Sequence, residues 1–278
     1  MESRLARAAL ASALALMILS CSVVNRALGD GLTAPQARAT ATRAMVQEQT
    51  SAAAPTEEGP RRLELTATPT PVSLAEDDPR SILDMEHPDH TDYFDNPDAW
   101  FDYDTAGRAA YWVTDGKLFG VDYEPEEIYT WWSNTDTASG NVYAEVSATN
   151  GDCIARDSVG LTIRVDRDAN AGGYSLEISC DGAYRFRMHQ IGGDQVELID
   201  WAPSDAVQTG PGATNRLGLW GFQARFRLFV NDVQVAEFWD TGYHHSYGTF
   251  ALYTRASQTY DLSSTFDDFA YWNIEFIP

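Results

Sequence analysis

The chain has 278 residues, with 19 Lys and Arg against 41 Asp and Glu, a formal net charge of −22 at pH 7. So acidic a surface repels nucleic-acid phosphates and anionic lipid headgroups, which excludes DNA and RNA as partners and favours cations and solubility. After the first twenty residues no stretch is long and apolar enough to span a bilayer, so a lipid would be the only membrane anchor.

The chain opens with Arg4 and Arg7, then the apolar run Ala8 to Leu19, then Ile18-Leu19-Ser20-Cys21. A positive start, an apolar stretch too short to cross a membrane and a small residue before the cut describe a secretory signal. With a cysteine at the cut, residues 1–21 resemble a bacterial lipoprotein signal, in which Ile18, Ser20 and Cys21 fit the cleavage box. That resemblance implies a diacylated Cys21 as the first mature residue and an extracytoplasmic protein lipid-anchored to a bacterial membrane. The alternative is an ordinary secretory signal with an incidental cysteine; both place the protein outside the cytoplasm. Cys153 and Cys180 then remain as an even pair in an oxidising compartment. A bridge between them would close a loop of roughly 27 residues and contribute about 2–4 kcal/mol. The other reading is a buried thiol at Cys180 and a free Cys153 in a loop.

Residues 22–84 are rich in Ala, Thr, Ser and Pro and almost free of aromatics. They cannot bury enough apolar surface to offset their ordering entropy and are expected to form a disordered tether with an end-to-end distance of about 40–50 Å. All eight tryptophans follow residue 99, and residues 85–278 form the expected folded domain.

Within that domain apolar residues recur with a period of two. Weaker strands are predicted at Ala109–Val113, Lys117–Asp122 and Ile128–Ser133, then a strand at Asn141–Thr149. Val159, Leu161, Ile163 and Val165 alternate with polar residues, as do Tyr174, Leu176, Ile178 and Cys180, and then Tyr184, Phe186 and Met188 after an Asp181-Gly182 turn. Asp-Gly between alternating runs is a strong hairpin signal. A strand over Gln195–Asp200 and another over Thr214–Gly221 precede a second hairpin, which turns at Asn231-Asp232, residue types that tolerate positive φ. Tyr247–Thr254 and Ser264–Phe276 complete the set. About eleven or twelve antiparallel strands with no helical run of a dozen residues predict an all-β, two-sheet sandwich.

The order of motifs is similar to the jelly-roll domains of the concanavalin A-like lectin/glucanase superfamily, in particular the branch named after 3-keto-disaccharide hydrolases. The matching runs are Asp92-Tyr93-Phe94-Asp95-Asn96-Pro97 with Trp100, Val159 to Arg164, Gly173 to Ile178, Leu198 to Trp201, Asn215-Arg216-Leu217, Leu228 to Asp232 and Phe266 to Phe269. The resemblance spans about Asp92 to Glu275. It specifies fold well and function poorly, because most of these are core and turn positions.

Glycoside hydrolysis needs two carboxyl groups flanking the scissile bond. Glucanases of this superfamily carry theirs on one strand as Glu-x-Asp-x-x-Glu, and the pattern is missing here. Glu145 and Glu177 are single outward-phase acids on separate strands, and the adjacent Asp267 and Asp268 face opposite ways. No catalytic residue is assigned, and keto-sugar hydrolase or lyase activity stays open. His87, His90, His244 and His245 are read as solvated loop histidines. Asp92, Asp95, Asp267 and Asp268, on the first and last strands, are candidate ligands for a structural calcium ion, which takes several oxygen ligands; turn and edge carboxylates are the other reading. No other cofactor is implied. Sugar CH faces stack on aromatic rings beside polar groups, which makes Trp131, Trp132, Tyr243 and His244 the candidate ligand-binding residues. The expected function is non-catalytic binding of carbohydrate or another surface polymer. The alternatives are a glycoside or 3-keto-disaccharide hydrolase or lyase, and a structural or adhesive surface protein.

Overall fold

The computed structural model describes residues 78–125, 130–192, 194–242 and 244–275. Cys21, residues 22–77 of the expected tether and Tyr243 lie outside the described residues. Among those described, no helix is long and apolar enough to cross a membrane.

Among the described residues fifteen strands follow one another: β1 His90–Asp92, β2 Tyr103–Thr105, β3 Ala109–Thr114, β4 Lys117–Asp122, β5 Ser133–Ser139, β6 Val142–Asn150, β7 Ser158–Val165, β8 Gly173–Ser179, β9 Ala183–His189, β10 Gln195–Pro203, β11 Thr214–Phe222, β12 Arg225–Val230, β13 Val233–Trp239, β14 Gly248–Arg255 and β15 Leu262–Asn273. They form the antiparallel two-sheet jelly-roll sandwich that the alternation predicts. The nine-stranded sheet runs β13-β12-β11-β6-β15-β4-β3-β2, with β1 also paired to β15. The six-stranded sheet runs β10-β9-β8-β7-β14-β5.

The core lies between the sheets. Leu161 and Ile163 of β7, Leu176 of β8 and Phe186 of β9 are fully buried, as are Ala144 and Val146 of β6 and Leu217 and Leu219 of β11. Each buried Leu or Phe contributes about 1.5–3 kcal/mol, so the inward phase of each strand is fixed by energy, not by backbone preference. At the β12–β13 turn Asn231 and Asp232 adopt φ of 49° and 65°, the conformation a two-residue hairpin demands.

Cys153 and Cys180 form a disulfide, with Cα atoms 5.9 Å apart. Beside it the buried Asp157 accepts hydrogen bonds from the backbone N–H groups of Ile154 (2.8 Å), Ser257 (2.8 Å) and Gln258 (2.9 Å). The bridge ties the loop before β7 to the end of β8, and this carboxylate ties the same loop to the loop after β14.

Residues 78–84, assigned by composition to the tether, are structured. Pro79–Ile82 forms a 3-10 turn capped by Asp78. Arg80 lies 4.3 Å over the Phe229 ring and bonds Asp78 (2.8 Å) and Asp232 (3.0 Å), while Trp272 Nε1 donates to Asp84 O at 2.8 Å. Leu83 and Met85 pack on Tyr143, Trp220, Phe229 and Trp272. This strap covers an aromatic patch on the outer face of the nine-stranded sheet, a second cluster separate from the main core. Two features of the strand prediction also shift. Of the strand expected at Ile128–Ser133, residues 128 and 129 lie outside the described residues and 130–132 are not in a strand; β5, a polar edge strand with no apolar alternation, starts at Ser133. The three-residue β1 and β2 are too short to show a period.

Candidate functional site

On β7, β8 and β9 the residues between the core positions face outward, and pairing places them side by side. Gly160 pairs with Glu177, Thr162 with Ser175, Glu177 with Arg185 and Ser175 with Arg187. Alternation alone would leave these side chains in solvent. Instead Glu177, Thr162 and Ser175 are fully buried and Arg187 is 1% exposed.

Glu177 organises this layer. Its Oε1 accepts from Arg185 Nη2 (2.8 Å) and the Ser158 hydroxyl, and its Oε2 from Arg185 Nε (2.9 Å), Arg187 Nη2 (2.6 Å) and Tyr253 OH (3.0 Å). Burial alone would raise its pKa, but the Arg187 and Arg185 charges outweigh burial and hold it far below the usual carboxylate range. The Tyr253 ring lies against Gly160, where a Cβ would come within 2.1 Å of Tyr253 Cζ. Only glycine leaves room for the ring that completes the Glu177 cradle. Further along, Thr162 Oγ1, Ser175 Oγ and His189 Nε2 form a chain at 2.7 Å per step. Burial and the Arg187 charge lower the His189 pKa to about 3, so its imidazole is neutral.

The segment Thr130–Trp132 crosses this layer. The Trp132 ring packs on Val165, Ala251 and Tyr253 and meets His189 edge-on at 5.2 Å. Its Nε1 donates to Asn170 Oδ1 at 3.0 Å. The Thr130 hydroxyl accepts from Gln195 Nε2 at 3.0 Å, and Gln195 in turn bonds Arg187. Trp131 is half-buried against the main core, and its carbonyl accepts from Tyr111 OH at 2.8 Å. The far side of the segment opens on a cavity of about 310 Å³ lined by Phe101, Tyr103, Thr130, Trp131, Trp132 and Asn170, with Thr105 at its edge. The volume lies at the lower end of the range for small-ligand sites, and four of the lining residues are aromatic. The buried arginine–glutamate layer thus acts as the rigid support of an aromatic cleft, through Thr130 and Trp132.

Of the sequence candidates, the structure brings Trp131 and Trp132 together in one cavity. They lie just before β5 and not within a strand, so their placement follows from the segment's packing and not from strand alternation. His244 is not among the described lining residues. Its Nδ1 pairs with Asp240 Oδ2 at 3.1 Å, and that oxygen also accepts from Tyr174 OH. Burial pushes the Asp240 pKa up, but these hydrogen bonds prevail and bring it to about 2. The calcium candidates do not converge. Asp92 Oδ1 accepts from Phe94 N (2.7 Å) and Oδ2 from Trp100 Nε1 (2.9 Å), Asp267 faces Lys117 at 3.7 Å, and Asp95 and Asp268 are exposed. Among the described residues no group of three or more His, Cys, Asp or Glu is placed to hold a metal ion. β1 and β15 are neighbours as expected, but Asp92 is spent on closing its own turn. Phe101, Tyr103 and Asn170 were not singled out from the sequence. Phe101-Asp102-Tyr103 is an aromatic pair with period two, and that is the one signal that could have flagged them.

Glu177 and Glu197 both contact Arg185, and burial raises the Glu197 pKa while that of Glu177 falls. Opposed shifts in two neighbouring carboxyls are the pattern of an acid and a base. Here the ionised partner is fully buried and both its oxygens are filled by donors, leaving no approach for an anomeric carbon.

No protein-family model and no curated protein matches the sequence. Among solved structures it is similar to a carbohydrate-binding module from Bacillus subtilis, at 16% identity over 64% of this chain and 98% of the other, with a TM-score of 0.49. A Bacillus subtilis protein of unknown function with a galectin-like fold matches at 11% identity over 67% and 96%, TM-score 0.47. A glycosidic hydrolase matches at 12% identity over 68% and 97%, TM-score 0.46. No activity passes to this chain from identities so low.

Proposed function

We propose that the protein binds carbohydrate without catalysis, displayed outside the cytoplasm on a lipid anchor at Cys21. The observation that carries this reading is the cavity in which Phe101, Tyr103, Trp131 and Trp132 converge beside the Asn170 amide and the Thr130 hydroxyl. Aromatic rings take the apolar faces of a sugar, and the few polar groups fix its orientation. The site is built on a layer whose side chains are locked by mutual hydrogen bonds, so it is organised before any ligand arrives.

Glycan-array screening followed by calorimetry tests the proposal. Trp131→Ala is expected to weaken binding at least about tenfold, the loss of roughly 1.4 kcal/mol of stacking. Binding unchanged by that substitution, or no glycan bound at all, would overturn it. Release of reducing ends from a bound glycan would replace it with the hydrolase reading. For the anchor, Cys21→Ser is expected to move the protein from the membrane fraction to the soluble one in cell fractionation. A variant that stays in the membrane fraction rules out the lipid.

A further inference from the structure

Phe101 stands between two cavities. Beyond the aromatic one lies a second, of about 290 Å³, to which Asp98, Asp102, Asn134 and Asp136 contribute. The wall between them has two parts. One is the Phe101 ring, 54% exposed. The other is a hydrogen bond from Asn134 Nδ2 to Asn170 Oδ1 at 3.2 Å, joining an amide of the second cavity to an amide of the first. The ridge is held in place from its backbone. Phe101 N donates to Asn134 O at 2.9 Å, and Phe101 O accepts from Ser133 Oγ at 3.0 Å. Phe101, held through its backbone and set against the Tyr103 ring at 5.3 Å, lines both cavities and so stands as a divider between consecutive subsites.

The two sides differ in chemistry. The first is lined mainly by rings. The second presents three carboxylates, of which Asp136 is paired with Arg167 at 2.8 Å. Carboxylates are strong acceptors for sugar hydroxyls. They oppose any anionic substituent brought within a few ångströms, and the net charge of −22 adds to that repulsion at longer range. Resting on the carbohydrate reading above, we infer that the ligand is a linear, uncharged glycan of at least two consecutive rings, one on the aromatic side of Phe101 and the next in the carboxylate-lined cavity, and that acidic sugars are rejected there.

The test is calorimetry on the full chain with neutral gluco-, xylo- and galacto-oligosaccharides of one to four rings, and with oligogalacturonides of the same lengths. In the series that binds, affinity is expected to rise at least about tenfold between one ring and three, with oligogalacturonides at least about tenfold weaker. Phe101→Ala should flatten the dependence on length, lowering the three-ring affinity several-fold more than the single-ring affinity. Asp98→Asn with Asp136→Asn, both at exposed positions, should narrow the gap between neutral and acidic chains. A monosaccharide that binds as tightly as a trisaccharide, or acidic chains that bind as well as neutral ones, overturns this inference and leaves the carbohydrate reading standing. Failure of every glycan to bind overturns both.

Discussion

Glu177→Gln is expected to lower the unfolding free energy by about 3–5 kcal/mol, the range for removing one partner of a buried ion pair. Gln keeps the volume and removes the charge, while Arg185 and Arg187, at 6% and 1% exposure, stay where they are. Two guanidiniums then face each other without their common anion. Arg255 already has a lowered pKa: burial is the largest cause, the Glu177 charge opposes it, and the charges of these same arginines add to the fall. Urea unfolding at pH 7 should show a lower midpoint with an unchanged slope. Glu197→Gln is the matched control. Its side chain is 43% exposed and it has one contact to Arg185, at 3.2 Å, so it should cost no more than about 0.5 kcal/mol. The effect of Glu177→Gln should also fade on acidification. A carboxyl held far below its unfolded value of 4.5 contributes stability above that value and loses it as pH falls further. Equal stability of wild type and variant at pH 7 would contradict the role given to Glu177. Sugar affinity should fall with stability, because Arg187 and Gln195 hold Thr130 at the edge of the cavity.

The sandwich is legible in the sequence where strands are two-sided. In β7, β8 and β9 the alternation identifies the core residues, and Asn231-Asp232 marks the hairpin turn by its chemistry. Legibility fails where burial has another cause. Ser133 to Ser139 is a strand made of polar residues, held by pairing with β14 and not by an apolar face. Glu177 sits in the outward phase and reads as a surface acid. It is buried because Tyr253, Arg185 and Arg187 close around it and Trp132 lies over Tyr253, a second layer that no period of two can announce. The cavity shows the same limit. Trp131 and Trp132 stand out as adjacent rings, but Phe101, Tyr103 and Asn170 join them only through the fold, across separations of about thirty to seventy residues of chain. Such a site can be nominated from sequence by its aromatic members, while its boundaries come from topology.

Asp122→Asn is expected to act in the opposite sense to Glu177→Gln, raising stability above pH 7 and leaving it nearly unchanged near pH 4. Asp122 ends β4 at 4% exposure, with Oδ2 accepting from Ala256 N at 2.8 Å. Burial raises its pKa to about 7, against the pull of that hydrogen bond and of Arg255; the nearby Asp157 adds to the rise. The unfolded chain has the ordinary value of 3.8. Between these two values the folded state holds a proton that the unfolded state has lost. Stability from this group is therefore fully present below about 3.8 and is lost as pH rises through about 7, a total of about 4 kcal/mol at 1.36 kcal/mol per unit. Asn is neutral throughout, and its side-chain oxygen can accept the same Ala256 N–H. Urea unfolding of both proteins from pH 4 to pH 8 should show the curves separating as pH rises, with the variant above. Parallel curves would mean that Asp122 ionises at its ordinary pH in the folded protein. With Glu177 losing stability toward acid and Asp122 toward base, the protein should be most stable in the mildly acidic range between them. Asp122→Asn should extend that range upward; Asp122 is not among the described lining residues of the cavity.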